Sequence, residues 1–268
     1  MSGARPREVE RDGALPRIEL DWPDGGPPAG IALRPLNFGR STGAPAAEVE
    51  AAWRALRDWG GGRYHTVVGG SQVHGARLFS ADGLTVPGDA EPVAARLLRV
   101  AGYDGFVSAE PGVLVTVGVA DCVPALLWAP RARAVALLHA GWRGVAAEIV
   151  TRAVAALVER DGVAEEIRAW WGPAIGPCHY PVGEEVVAAI RATSAGPGTD
   201  GWVEAGPDGP RVDLRAALTR QALAAGLAPE AVTSSSACTS CDPVRFHSYR
   251  REAGGGGRMV AFAGIPLA

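Results

Sequence analysis

A chain of 268 residues with 47% hydrophobic content has enough apolar surface for one large core, and its formal net charge of -3 gives no general pull toward phosphate polymers, which argues against nucleic-acid binding. All 26 basic residues are Arg, which excludes a Lys Schiff base and the lysine-bearing phosphate loop and leaves anions to Arg or backbone N–H groups. Four Cys do not make a disulfide scaffold at this length, the charged start at 1–10 is unlike a secretory signal, and the most apolar run, 113–129, is broken by Asp121 and Pro124, so a soluble, cytoplasmic, monomeric protein acting on small molecules away from membranes is expected.

Residues 1–30 mix charges with Pro23, Pro27, Pro28 and several Gly without a period, and are expected as a flexible arm or an edge, leaving 31–268 as a single catalytic domain. A helix is predicted over 46–59, where apolar residues recur at helical spacing until Gly60, Gly61 and Gly62 stop them. Strands follow at 64–68, 105–108, 112–119, 123–128 and 134–138, rich in Val and Leu and bounded by Gly or Pro. Several are apolar on both faces, the pattern of buried central strands. Helices at 145–159, 183–193 and 213–225, the last with Asp213 as its N-cap, and strands at 167–171 and 259–262 complete the pattern. Strands cluster early and helices are spread, which predicts a mixed-sheet α/β sandwich with outer helices, not a regular βαβ alternation.

Only five His are present, and three segments set a His or Cys among turn-forming residues: 72–75 with His74, 120–124 with Cys122, and 139–144 with His139. Cys122 falls between two apolar strand runs and His139 at the end of a third, where Gly141 turns the chain toward a helix, so both are expected at strand ends, where binding groups collect. Their separations are too long for a zinc finger, and any shared metal must be gathered by the fold. Singly, each residue reads as well as a buried small hydrophobe or a satisfied core histidine.

Arg143 stands at the start of the helix predicted next, where free N–H groups favour an anion such as phosphate, although pairing with a carboxylate fits equally. The Gly/Pro-rich loop at 172–180 carries Cys178 and His179, while Cys238 and Cys241 form a CxxC pair without a second pair, read as structural or incidental. Residues 246–251 bring His247, Tyr249, Arg250 and Arg251 close together, an anion contact or a solvated face.

At these segments the sequence resembles the YfiH/laccase-domain family, also called the multicopper polyphenol oxidase family. The matching motifs lie at 72–75, 116–124, 139–144, 172–178, and 238–239 followed by 246–251, in the family's order along most of the chain. The resemblance implies an α/β sandwich of the YfiH type, related to cytotoxic necrotizing factor deamidases. It also implies a purine nucleoside phosphorylase active on adenosine, inosine and S-methyl-5'-thioadenosine, with adenosine deaminase activity and zinc held by His74, Cys122 and His139. Copper is the alternative metal at the same ligands. Phosphate then falls to Arg143 and Arg250, with Gln72, Asn37 and Arg40 as further substrate contacts. The family's N-terminal element survives only as Asn37-Phe38-Gly39-Arg40, and 103–107 match its acidic strand start less closely.

Three protein ligands leave a fourth tetrahedral position open, the arrangement of catalytic zinc. Three rival readings stand beside this one. The first is a metal-free hydrolase or deamidase with Cys122 as nucleophile and His139 as base. The second is a copper-dependent polyphenol oxidase, disfavoured because a four-copper laccase uses about ten His in HxH pairs and this chain has five His and no such pair. The third is a non-catalytic metal-binding protein whose fourth ligand is Cys178.

Overall fold

The computed structural model describes residues 5–84, 96–196 and 201–268. Its strands are, in chain order, β1 (Arg7–Arg11), β2 (Arg17–Asp21), β3 (Ala29–Ala32), β4 (Thr66–Ser71), β5 (Leu78–Ser80), β6 (Arg96–Ala101), β7 (Gly105–Ser108), β8 (Val113–Val119), β9 (Val123–Ala129), β10 (Ala134–Ala140), β11 (Arg168–Trp171), β12 (Val203–Gly206), β13 (Gly209–Val212), β14 (Val232–Ser234) and β15 (Met259–Ile265). The helices are α1 (Ala46–Gly60), α2 (Trp142–Ala146), α3 (Ile149–Val158), α4 (Glu184–Arg191) and α5 (Leu214–Ala224). One sheet runs β1-β2-β3-β15-β8-β4-β6, a second β14-β11-β9-β10-β7-β5, and β12 pairs with β13 as a hairpin. Both large sheets are mixed: β8 pairs antiparallel with β15 but parallel with β4, and β11 pairs antiparallel with β9 but parallel with β14.

The two-residue period of each central strand explains why these runs are apolar on both faces. In β8, Val113, Val115, Val117 and Val119 point between the sheets, where they join Leu126 and Trp128 of β9 and Leu137 of β10, while Leu114 packs outward with Trp53 and Leu56 of α1. On the other side Leu127 and Leu138 turn outward to meet Ile149, Val154 and Leu157 of α3 and Leu218 of α5. The result is four layers, α1, sheet, sheet and the remaining helices, the mixed-sheet α/β sandwich with outer helices that the pattern predicted. Among the described residues no helix is long and apolar enough to cross a membrane.

Of the two alternatives for 1–30, the flexible arm needs correction in favour of the edge: residues 7–11 and 17–21 are strands at the sheet's edge, where Ile18, Leu20 and Trp22 are buried at alternate positions while charges cover the outer strand in the manner of a protected edge. The helix predicted over 145–159 is two helices, because Glu148 between them adopts a left-handed conformation at φ 56. The cap at Asp213 forms as expected, accepting the N–H groups of Arg215 and Ala216 at 2.9 and 3.3 Å.

Candidate active site

Three strand ends converge at one end of the sandwich. Beyond β4 the chain loops to His74, held at φ 59, and this turn is fixed by the buried carboxylate of Asp104, just ahead of β7. Asp104 accepts the backbone N–H groups of Val73, His74 and Gly75 at 3.2, 2.9 and 2.7 Å. The same carboxylate accepts Nδ1–H of His139 at 2.9 Å, near the end of β10, which leaves Nε2 of that ring for the site. Between β8 and β9, Asp121 takes a left-handed conformation at φ 84 and presents Cys122. Its carboxylate is anchored from a distant loop, accepting from Thr239 Oγ1 and from the backbone N–H of Arg250, each at 2.6 Å.

These supports bring together the three residues read from the sequence: one ligand atom each of His74, Cys122 and His139 lies within 4.8 Å of the others. The two imidazoles stand edge to face, ring centres 4.7 Å apart. Gly141 keeps the space clear, since a Cβ there would lie 2.9 Å from Cys122 Sγ and 3.3 Å from the His74 ring.

Burial pushes the Cys122 thiol up, but the charge of His139 and hydrogen bonds from both imidazoles outweigh it and hold the thiol down at about 6. Burial likewise pulls His139 down, and the Cys122 thiolate with the Asp104 carboxylate overcomes it to lift the imidazole to about 9. Burial opposes the ionisation of Asp104, yet its bonds to His139 and to the backbone hold it below the usual carboxylate value.

The donor set fits a zinc ion. One thiolate and two imidazoles suit this metal, and the His139–Asp104 pair is the carboxylate–imidazole support that fixes a ligand's tautomer and ring direction. Cys178 does not join this cluster; its sulfur turns to that of Cys241, 3.7 Å away, which removes the reading in which it completes the coordination here.

The cluster opens into a cavity of about 950 Å³ whose wall, among the described residues, carries Arg40, Arg99, Arg143, Arg250 and Arg258 against one carboxylate, Asp121. Arg143 lies over the Trp142 ring at 4.3 Å and, among the described residues, has no carboxylate partner. The helix it begins, α2, has only five residues, so the guanidinium and not a long helix dipole is the cation here. Arg250 lies over the Tyr180 ring at 5.1 Å and donates to Pro181 O at 3.3 Å. Arg40 also reaches the cavity but sits 4.0 Å from Glu50.

Gln72 lines the wall with its amide committed: it donates to Gly118 O and accepts from Gly118 N–H, both at 2.8 Å, clasping β8. Asn37 is not among the described residues that line the cavity, although Phe38, Gly39 and Arg40 beside it are. Its side chain organises the loop, donating to Thr42 Oγ1 at 3.1 Å and accepting the N–H groups of Gly39 and Arg258 at 2.9 Å. His247 is a core histidine, bonded to Leu36 O at 3.0 Å and accepting Gly257 N–H at 3.2 Å.

Sequence reasoning missed Asp104, Arg99 and Arg258. The available signal for Asp104 was a lone acid opening the apolar run 105–108; Arg99 and Arg258 carried none. Burial, with neighbouring Arg40, holds Arg99 below the usual guanidinium value.

Residues 26–266 match the family described as multi-copper polyphenol oxidoreductase laccase. The purine nucleoside phosphorylase YlmD of Geobacillus stearothermophilus is 37% identical over 230 residues, 85% of this chain and 83% of that protein. The adenosine deaminase RL5 of an unknown prokaryotic organism is 32% identical over 164 residues, 61% of this chain and 62% of its own. The crystal structure of YlmD from Geobacillus stearothermophilus superposes with a TM-score of 0.85 at 32% identity, covering 97% of this chain and all of that one.

Proposed function

Because this chain belongs to the multi-copper polyphenol oxidoreductase laccase family, whose relatives include enzymes named purine nucleoside phosphorylase and adenosine deaminase, we propose that it is a purine nucleoside phosphorylase acting on adenosine, inosine and S-methyl-5'-thioadenosine, with adenosine deaminase as a side activity. The observation that carries this reading is the pairing of the His74–Cys122–His139 cluster with a cavity walled by five arginines. A cavity of about 950 Å³ has room for a nucleoside and an anion together.

A phosphate dianion needs cations that are not already neutralised, and among the described residues Arg143 and Arg250 have no carboxylate partner and each rests on an aromatic ring. Held there, phosphate is oriented for attack at the ribose carbon as the bond to the purine breaks and the base leaves with the electron pair. His74, Cys122 and His139 would hold the metal, zinc in this reading with copper as the alternative at the same ligands, and a zinc ion bound there would supply a Lewis acid to the cavity. Asp104 keeps His139 in one tautomer and the 73–75 turn in one shape, while Gln72 and Gly141 preserve the walls around them.

The test is metal analysis of the purified protein, followed by chromatography of each nucleoside incubated with and without phosphate, for wild type and Cys122→Ala. Phosphate-dependent release of free base, with ribose 1-phosphate as co-product and loss in Cys122→Ala, is expected. Base release indifferent to phosphate argues for hydrolysis, and no base release defeats the proposal. Conversion of adenosine to inosine reads the side activity separately.

A second reading, a metal-free hydrolase or deamidase, is favoured by the Cys122–His139–Asp104 chain, which has the nucleophile, base and orienting acid of cysteine enzymes. Chelation separates the two, abolishing activity in the first reading and sparing it in the second.

A further inference from the structure

We propose that Cys178, His179, Cys238 and Cys241 form a second metal site, structural in kind, that takes one zinc ion. One ligand atom from each lies within 4.8 Å of the other three. Tetrahedral zinc, with Zn–S of about 2.3 Å and Zn–N of about 2.0 Å, sets neighbouring sulfurs about 3.8 Å apart and sulfur–nitrogen pairs about 3.5 Å apart. The sulfurs of Cys178 and Cys241 are 3.7 Å apart, and Nδ1 of His179 stands 3.3, 3.4 and 4.0 Å from the sulfurs of Cys178, Cys241 and Cys238. Four of the six separations among these side chains, which come from two distant loops, are thus 3.3–4.0 Å, near those of tetrahedral zinc, and the two from Cys238 to the other sulfurs lie within 4.8 Å. All three cysteines are free thiols.

The surroundings are built for the cluster. The backbone N–H of Gly176 donates to Cys238 Sγ at 3.2 Å, the support commonly given to a ligating thiolate. Glycine at 176 eases the fit, since a Cβ there would lie 3.3 Å from Cys178 Sγ, a tight approach, and 3.5 Å from Cys238 Cβ, in ordinary contact. The buried Arg215 holds the second loop from α5, donating to Ser235 O and Ala237 O at 2.7 and 2.8 Å. With four protein ligands no position is left for a substrate, which is the character of a structural site and not of a catalytic one.

The two loops so joined are those that fix the cavity wall. Ile175 N–H donates to Asp121 O at 2.9 Å, and Thr239 holds the Asp121 carboxylate, so both loops grip the residue that presents Cys122. Tyr180, one residue beyond His179, lies beneath Arg250. The metal would thus staple the frame of the active site while taking no part in the reaction.

The site is read apart from the first by counting zinc in a His74→Ala, Cys122→Ala, His139→Ala triple variant, where any metal left belongs to the second cluster. About one zinc per chain is expected there, falling below about 0.1 when Cys178→Ser and Cys241→Ser are added. Cobalt in its place is expected to give the intense visible bands of tetrahedral, sulfur-rich coordination. A triple variant without zinc, or zinc unmoved by the serine substitutions, overturns the proposal whatever the nucleoside assays show. Should the serine variants fail to fold, mass-spectrometric thiol labelling of the wild type decides. Cys178, Cys238 and Cys241 are expected to be protected until a chelator is added. Free labelling without chelator, or labelling released only by a reductant, overturns it.

Discussion

Nδ1–H of His139 donates to Asp104 at 2.9 Å, while the same carboxylate gathers the N–H groups of Val73, His74 and Gly75, so one buried acid sets the direction of one imidazole and the loop shape of the other. Asp104→Ala would leave one ring nitrogen and three backbone donors without their acceptor, at an expected cost of about 3–5 kcal/mol measured by chemical denaturation. Asp104→Asn retains the shape and one acceptor oxygen, and is expected to fold while losing zinc affinity about 10–100-fold. Unchanged affinity in a competition titration would show that Asp104 does not set the ligand geometry.

The depressed pKa of Asp104 also fixes the sign of a pH effect. Since the unfolded chain binds a proton at about 3.9 and the folded one only at lower pH, the carboxylate's stabilisation is complete above about 4 and is lost as pH falls through the folded value. In denaturation curves taken from neutral pH downward, the gap between wild type and Asp104→Ala should stay level to about pH 4 and then narrow. A gap that widens with acid would contradict this sign.

The thiol of Cys122, held at about 6, should be alkylated by iodoacetamide well below the pH of an ordinary cysteine. In chelator-treated protein, peptide mapping is expected to place the midpoint of its alkylation near 6, against about 8.5 for an unperturbed thiol. For the folded apoprotein the thiolate's contribution to stability is present above the unfolded value and lost as pH falls through about 6. His139, raised to about 9, contributes in the opposite sense, fully below about 6.5 and lost as pH rises through 9. His139→Gln removes the main opposing charge, so burial should carry the Cys122 midpoint upward; a midpoint left near 6 would show that His139 is not the cause.

The central strands were legible because β8, β9, β10 and β15 are apolar on both faces and long enough to exclude other readings. The edge was legible only as one of two alternatives, because Arg7–Arg11 carries four charges in five residues and its partner shows its period only in Ile18, Leu20 and Trp22. Nor could an apolar run reveal the break at Glu148, which depends on one backbone angle. His74, Cys122 and His139 were legible as motif residues, but their convergence belongs to the pairing of three strand ends and to Asp104, whose contacts are 29 to 35 residues away. The motif at 37–40 left the part played by Asn37 illegible, because a side chain that organises a loop and one that touches a ligand look alike in sequence.

Gly141→Ala tests how closely the cluster is fitted. The backbone at 141 has φ -80, so alanine brings no strain of its own, and the whole effect comes from a methyl group 2.9 Å from Cys122 Sγ. Stability should fall by no more than about 1–2 kcal/mol, whereas zinc affinity and turnover should fall at least about 10-fold. If both are unchanged, the three side chains have more room than their spacing implies.

Arg143→Ala addresses the anion directly. Arg143 has no carboxylate partner among the described residues and is steadied only by Trp142, so its removal should barely change stability but withdraw a charge-assisted contact from phosphate. Such a contact is worth about 1.5–3 kcal/mol, which corresponds to a rise of about 10–100-fold in KM for phosphate. The KM for the nucleoside should hold within about twofold, and Arg143→Lys should restore only part of the loss, because an ammonium keeps the charge without the two-pronged geometry. Arg40→Ala should cost less than Arg143→Ala, since Arg40 already shares its charge with Glu50 at 4.0 Å. The opposite ranking, or a phosphate KM indifferent to Arg143, would move the anion site to another part of the arginine-lined wall.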